Sequence, residues 1–120
     1  MKFQVWSPYA KSVDLVLDSC THPMEWDASG WWAADILEAG PGTKYRYRVN
    51  GDGPFPDPRS PWQPEGVHGP SVTVDHSQFL WRDDAFQPTA LAEAVIYELH
   101  VGTFTREGTY SAAADRLGYL

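Results

Sequence analysis

The chain has 120 residues, 42% of them hydrophobic, and its 9 basic and 16 acidic side chains give a formal net charge of −7. This apolar content, with six Trp, six Tyr and five Phe, excludes a disordered chain and leaves room for one domain with a core plus a short appendage. The acidic balance argues against nucleic acid and anionic membranes as partners, because both bind to basic surfaces.

The first half of the chain predicts a series of short antiparallel strands. Apolar and polar residues alternate between turn signals such as Ser7-Pro8, Asp27–Gly30 and Asn50-Gly51. The pattern is clearest over KYRYRV, where two tyrosines and a valine share one face and three basic residues share the other. The predicted strands are Lys2–Trp6, Val13–Leu17, His22–Trp26, Trp31–Ile36, Lys44–Val49 and Ser71–Val74.

A proline-rich connection, Asp57–Ser71, precedes the last of these strands. Its four prolines and two glycines exclude a central strand or a helix. Because it also carries Trp62, Val67 and His68, we expect it to be ordered and docked rather than disordered. If the residues directly after the Asn50-Gly51 turn are included, the predicted irregular connection covers residues 52–71.

The number of short strands predicts an all-β fold, an antiparallel β-sandwich over residues 1–75. Residues 76–94 are interpreted as a linker. The pattern then changes over residues 95–120. Val95–Val101 alternates as a strand, and Ser111 is placed to cap a helix that runs to Leu120.

A strand, a loop and a helix form the opening of a βα unit, whose parallel strand needs neighbours that 120 residues do not supply. We therefore expect a truncated piece of a longer protein. The apolar strand at 95–101 is also expected to pair with another chain, in a dimer or a strand swap.

Compartment and cofactors are constrained by what the sequence lacks. Cys20 is the only cysteine, which excludes an intrachain disulfide and suits a reducing compartment. No apolar run approaches the ~20 residues of a membrane span, and the first residues lead directly into a strand pattern without a signal peptide. We expect a cytoplasmic protein. No cluster of His, Cys and carboxylate residues has metal-ligand spacing, so neither a metal nor a cofactor is expected.

Three tryptophans are candidate carbohydrate contacts. Trp31 and Trp32 are adjacent, so in a strand one faces the core and the other faces solvent. An exposed indole stacks well on the C–H edges of a sugar ring, and Trp62 in the proline-rich connection is the third candidate. Packing in the core or between domains is the more frequent role of such large aromatic side chains.

Three titratable residues are candidates for the junction between domains. Glu98 and His100 lie two residues apart on the predicted strand, so they share a face and suit either acid–base work or a hydrogen bond to each other. His68 lies in a segment with Gly66 and Gly69, where the backbone has unusual freedom.

Four segments resemble the malto-oligosyltrehalose trehalohydrolase family of the α-amylase clan: FQVWSP, DPRSPWQPEGVHGPS, FLWRDD and VIYELHVGTFTREGTYSAAADRLGYL. QPEGVHGPS is the most specific, since VIYELHVGTFT is shared with branching and debranching relatives. The resemblance implies an Ig-like sandwich of the E-set or CBM48 type, followed by a catalytic (β/α)₈ barrel that residues 95–120 would begin.

The resemblance also implies a retaining hydrolase that cleaves the α-1,4 bond next to the trehalose end of its substrate and releases trehalose. The clan's catalytic Asp and Glu residues come from later barrel strands, whose motifs do not occur here. No catalytic residue is therefore assigned, and the fragment is expected to be inactive by itself.

Three functions remain open. The chain is an accessory domain that braces the barrel and shapes the oligosaccharide groove, or an α-glucan-binding module that works alone, or an Ig-like protein-interaction module. The first includes the N-terminal domain of a branching or debranching enzyme as a variant. Residues 95–120 argue against the third, because a free-standing interaction module has no use for them.

Overall fold

The computed structural model describes residues 1–18 and 20–120, and the chain divides into two compact units, Met1–Leu80 and Trp81–Leu120. The described part of the first unit contains eight strands and a 3₁₀ helix at His76–Gln78. The strands are β1 (Lys2–Trp6), β2 (Val13–Leu17), β3 (Cys20–Pro23), β4 (Glu25–Trp26), β5 (Trp31–Asp35), β6 (Lys44–Val49), β7 (Asp52–Phe55) and β8 (Ser71–Val72).

These strands form two antiparallel sheets. The smaller has the order β1-β5-β4, and the larger has the order β3-β2-β6-β7, with β8 also paired to β6. The alternation predicted from the sequence is confirmed, because the inward residues of both sheets lie in one apolar core. That core contains Phe3, Val5, Val13, Leu15, Met24, Trp32, Ile36, Tyr45 and Tyr47.

The predicted Asn50-Gly51 turn is confirmed. Both residues have positive φ, 52° and 88°, and β6 pairs with β7 across them, with Val49 opposite Asp52. The Oδ1 of Asn50 also accepts the backbone N–H groups of Lys11 at 2.7 Å and Ser12 at 3.2 Å. This turn therefore ties the start of β2 to the end of β6, at one end of the larger sheet's central pair.

Several strand boundaries differ from the prediction. Residues 52–55 were assigned to the irregular connection but form β7, where a proline is tolerated because the strand lies at an edge. The single strand predicted over His22–Trp26 is wrong: it is broken at Met24, where the chain passes from the larger sheet to the smaller. Met24 is buried and Trp26 is 56% exposed, so they do not share one environment.

The second unit contains two short helices, α1 (Val101–Phe104) and α2 (Tyr110–Asp115), and 3₁₀ helices at Leu91–Glu93 and Leu117–Tyr119. The strand predicted over Val95–Val101 is wrong, since residues 95–100 have no regular structure. A parallel strand gains its hydrogen bonds from neighbouring strands, and this unit, as described, supplies none. Within the described residues, no helix has the length and apolar character needed to cross a membrane.

The helix predicted from Ser111 to Leu120 is shorter and begins earlier. Thr109 is the N-cap of α2, and its side chain accepts the N–H of Ala112 at 3.2 Å. The α-helix ends at Asp115, and a 3₁₀ turn containing the poor helix former Gly118 follows.

Candidate functional site

The proline-rich connection is fixed to the larger sheet through Asp57, which is 8% exposed. One carboxylate oxygen accepts the Tyr45 hydroxyl at 2.7 Å, and the other accepts the Arg59 N–H at 2.8 Å. The Asp57 N–H donates to Ser71 Oγ at 2.8 Å. A buried carboxylate requires such donors, and the expectation of an ordered, docked connection is confirmed.

The two core tyrosines of β6 serve as protonated donors. Burial raises the pKa of Tyr45 well above its ordinary value, and the hydrogen bond to the Asp57 carboxylate raises this pKa further. Burial likewise raises the pKa of Tyr47, whose hydroxyl donates to the Gln4 carbonyl at 3.1 Å. Both phenols keep their protons at neutral pH and hold neighbouring segments in place.

Trp62 lies beside β8, half-exposed, with its backbone held in place. Its carbonyl accepts the Val72 N–H at 2.9 Å and the Ser60 hydroxyl at 2.9 Å. The residue lines a surface hollow of about 470 Å³, here called the Trp62 hollow, with apolar walls and a polar rim. Its other lining residues are Pro41, Gly42, Pro61, Thr73, Val74, Asp75, His76 and Gln78.

The rim of the Trp62 hollow is organised by Asp75, which caps the 3₁₀ helix at His76–Gln78. Its carboxylate accepts the Ser77 hydroxyl at 2.6 Å, the Ser77 N–H at 2.9 Å and the Gln78 amide at 3.3 Å. The hydrogen bonds from Ser77 lower the pKa of Asp75 and keep it anionic. An apolar wall beside hydrogen-bonding groups suits a neutral, hydroxyl-rich ligand better than an anion.

The adjacent tryptophans face opposite ways, as the strand parity predicted. Trp32 is 7% exposed, lies in the core and donates from Nε1 to the Ser7 carbonyl at 3.0 Å. Its assignment as a carbohydrate contact is therefore wrong. Trp31 lies on the opposite face, partly buried, with the guanidinium carbon of Arg59 5.3 Å from its ring centroid.

The three junction candidates are divided between the two units. His68 belongs to the first unit and is exposed, and its carbonyl accepts Arg46 Nη2 at 3.4 Å. Glu98 is exposed, and His100 precedes α1, with its carbonyl accepting the N–H groups of Thr103 and Phe104. The shared-face argument for Glu98 and His100 is wrong, because it depended on the strand that is absent.

Two contributors to these surfaces were not predicted. Arg59 reaches Trp31 only because the proline-rich connection folds back, and no local pattern predicts that contact. Asp75 lies two residues before Ser77, a spacing at which an Asp side chain often accepts the backbone N–H and caps a short helix. This spacing is the sequence signal that would have predicted the polar rim of the Trp62 hollow. No group of three or more potential metal ligands occurs among the described residues, and Cys20 is exposed and free.

Residues 1–63 match the model of the family described as carbohydrate-binding module 48, the isoamylase N-terminal domain. The chain is 46% identical over 123 residues to a malto-oligosyltrehalose trehalohydrolase from Arthrobacter ramosus, which covers 99% of this chain and 21% of that protein. It is 32% identical to a 1,4-alpha-glucan branching enzyme from Vibrio parahaemolyticus, covering 90% of this chain and 16% of the enzyme.

Among solved structures, a crystal structure of a Salmonella typhimurium protein described as an alpha amylase has a TM-score of 0.86 and 36% identity. The match covers 99% of this chain and 20% of that one. The chain thus spans about a fifth of the length of the trehalohydrolase and of the Salmonella protein. The resemblance seen in the sequence motifs is confirmed.

Proposed function

The chain belongs to the carbohydrate-binding module 48 family, and from that membership we propose that it is the accessory domain of a trehalose-releasing glycoside hydrolase. The whole protein would hydrolyse the α-1,4-glucosidic bond next to the trehalose end of malto-oligosyltrehalose. The observation that carries this proposal is the 46% identity to the Arthrobacter ramosus enzyme over 99% of the chain, far beyond residues 1–63. The branching enzyme, at 32%, supports the alternative less well.

We assign the segments accordingly. Residues 1–75, with the connection at 52–71, form an Ig-like sandwich of the E-set type. Residues 76–94 form a linker, and residues 95–120 begin a (β/α)₈ barrel. The two antiparallel sheets around one core support the first assignment. In a longer protein, neighbouring barrel strands would supply the hydrogen-bond partners that residues 95–101 need to become a strand.

We expect the 120 residues to be inactive alone, for a chemical reason. Retaining hydrolysis needs a carboxylate nucleophile and an acid with a raised pKa, roughly 5–5.5 Å apart. Among the described carboxyl groups with a shifted pKa, each is lowered: Asp27 and Asp75 by hydrogen bonds from serines, and Glu65 by its bond to Lys44. Asp57, buried, is already bound to Tyr45 and Arg59.

The test is enzymatic. The full-length product of the gene and the 120-residue chain are incubated separately with maltotriosyltrehalose, and released trehalose is measured by chromatography. We expect trehalose from the full-length protein alone. If the full-length protein instead forms branched glucan from amylose and releases no trehalose, the chain belongs to a branching enzyme and the proposal is wrong. Trehalose released by the 120 residues themselves would contradict the accessory role.

A second function, α-glucan binding by this chain itself, is favoured by the Trp62 hollow. Trp62 is 50% exposed and its carbonyl is bonded to β8, so the backbone that carries the indole needs no further ordering when a ligand binds. Titration with maltoheptaose, followed by calorimetry, tests it: Trp62→Ala should weaken binding, whereas Trp26→Ala should not.

We also place the protein in the cytoplasm, which the exposed free Cys20 supports.

We still predict self-association through residues 95–101. The reason is now the exposed apolar side chains of this segment rather than an unpaired strand. Val95, Ile96 and Tyr97 are 96%, 81% and 63% exposed. Sedimentation velocity over a wide range of protein concentration should detect a dimer that Ile96→Lys abolishes. A monomer at the highest concentration would contradict the prediction.

A further inference from the structure

The outer face of the smaller sheet carries a second aromatic surface, here called the Trp6–Trp31 platform and defined by Trp6, Trp31, Arg59 and Gln4. Trp6 and Trp31 are register partners of the antiparallel β1–β5 pair. Their chain neighbours Val5 and Trp32 are buried, so the alternation of a strand turns both platform indoles away from the core. Directly opposed side chains have Cβ atoms ~4.5–5.5 Å apart, which makes the two indoles neighbours.

The exposed indole of this pair is held in position. Trp6 is 57% exposed, and its Nε1 donates to the Ser29 carbonyl at 3.4 Å. Gly30 follows with φ +94°, and a Cβ there would lie 2.8 Å from Pro8 Cβ and 3.1 Å from Trp6 Nε1, so glycine is strongly favoured at this position. Asp27 closes the turn by accepting the N–H groups of Ser29 at 2.8 Å and Trp31 at 3.0 Å. The Trp6 side of the platform therefore borders a turn, Asp27–Gly30, whose backbone is fixed by these hydrogen bonds.

Hydrogen-bonding groups lie next to the two indoles. The guanidinium of Arg59 is 5.3 Å from the Trp31 ring centroid, and the Arg59 backbone is fixed by its bond to Asp57. Gln4, exposed on β1, faces outward between the buried Phe3 and Val5. Aromatic faces with adjacent amide and guanidinium donors match the C–H edges and hydroxyl groups of pyranose rings.

The two indoles of the platform lie outside the Trp62 hollow. The Trp62 hollow is lined by residues 73–78, where the chain leaves β8. Gln4 and Arg59 line a neighbouring hollow with Pro61, Thr73 and Val74, which also line the Trp62 hollow. Trp6 lies two residues past Gln4 along a strand that rises ~3.4 Å per residue. The polar edge of the platform thus adjoins the Trp62 hollow, and its two indoles are not among the residues that line either hollow.

We propose that the Trp6–Trp31 platform is a second α-glucan-binding surface, on which the exposed Trp6 indole stacks against a glucosyl unit of an α-1,4-linked chain and Trp31, with Arg59 over its ring, borders the adjoining unit. The choice of α-glucan rests on the proposed function and on membership of the carbohydrate-binding family. The two indoles supply the contact area, and Arg59 and Gln4 supply hydrogen bonds to the sugar hydroxyls.

The test follows the indole N–H signals of the ¹⁵N-labelled chain by NMR during titration with maltoheptaose. We expect the Trp6 and Trp31 signals to shift together with a single dissociation constant. Trp6→Ala should weaken this binding about tenfold, in line with the cost of losing a central Trp contact. The response at Trp62 should be unchanged. Trp26→Ala is the matched control, because Trp26 is equally exposed on the same sheet but pairs with the buried Trp32.

The indole N–H of Trp32, bonded to Ser7, reports whether each variant keeps its core. If Trp6→Ala loses that signal, Arg59→Gln carries the test, with an expected severalfold weakening at the platform. Three results would overturn the proposal: shifts confined to Trp62 or absent altogether, equal binding of cellohexaose, or platform shifts that follow protein concentration without sugar. Each is distinguishable from failure of the proposed function, which trehalose release by the full-length protein decides.

Discussion

The hydroxyl of Tyr45 should contribute more to stability than the hydroxyl of Tyr47, its neighbour on the same face of β6. Tyr45→Phe removes a donor 2.7 Å from the buried Asp57 carboxylate. Because a hydrogen bond to a charged group is worth about 1.5–3 kcal/mol, the free energy of unfolding should fall by about that amount. Urea unfolding followed by fluorescence measures it.

Tyr47→Phe is the matched control for this prediction. The Tyr47 hydroxyl donates to the neutral Gln4 carbonyl, and a neutral hydrogen bond contributes only about 0.5–1.5 kcal/mol. Equal destabilisation by the two variants would show that the bond from Tyr45 to Asp57 contributes no more than a neutral hydrogen bond. It would also remove the argument that this carboxylate anchors the proline-rich connection.

The same tyrosines predict how stability depends on alkaline pH. Burial raises the pKa of Tyr45 and of Tyr47 above the ordinary value of 10.0 in the folded chain. Above that value the unfolded chain loses these protons while the folded chain keeps them, so the free energy of unfolding falls as pH rises. Below it, both states are protonated and the contribution is complete.

Urea midpoints measured from neutral pH into alkali should therefore stay level and then decline above about pH 10. The decline should be shallower in Tyr45→Phe, which lacks one of the two shifted groups. An unchanged slope in that variant would assign the decline to other residues.

At the level of single residues, the sequence predicted the part of the site that strand parity controls. Adjacent positions on β5 had to face opposite ways, but parity alone does not tell which of Trp31 and Trp32 is buried. Arg59 and Asp57 were missed because DPRS is typical of a turn. Their partners, Trp31 and Tyr45, are distant in sequence, so only the folded connection brings these pairs together.

At the level of elements, the turn between β4 and β5 gives the sharpest prediction. Gly30→Ala places a methyl group 2.8 Å from Pro8 Cβ at a φ of +94°. We expect a loss of more than about 1 kcal/mol in the free energy of unfolding, since both contact and conformation are unfavourable.

Gly40→Ala is the control, because a Cβ at Gly40 meets open space and the residue lacks a positive φ. It should be neutral or slightly stabilising. If the two variants have the same effect in urea unfolding, the turn is looser than this packing implies, and the support for Trp6 is weakened with it.

The elements that were predicted correctly are those in which local alternation and the tertiary environment agree. β1, β2 and β6 each turn every second residue towards the core, and their boundaries follow from the sequence alone. The errors occur where partners decide the structure. β7 forms although it contains Pro54, because β6 offers it an edge, and residues 95–101 remain irregular because no neighbouring strand is present in their unit.

At the level of the whole molecule, burial is concentrated in the first unit. The buried apolar residues with known environment lie between Phe3 and Val72, apart from Ala113. The described part of the second unit contains short helices and many exposed apolar side chains. Since hydrophobic burial is the dominant favourable contribution to folding, the second unit should add little to the stability of the first.

Deletion of residues 81–120 tests that expectation. The truncated chain should keep the cooperative unfolding of the full chain, with a free energy of unfolding changed by less than about 0.5 kcal/mol. The indole N–H of Trp32 provides the comparison, because its bond to Ser7 lies inside the first unit. Loss of that signal on deletion would mean that the 120 residues fold as one body. Its retention would mean that the first unit folds without residues 81–120, as the proposed accessory role requires.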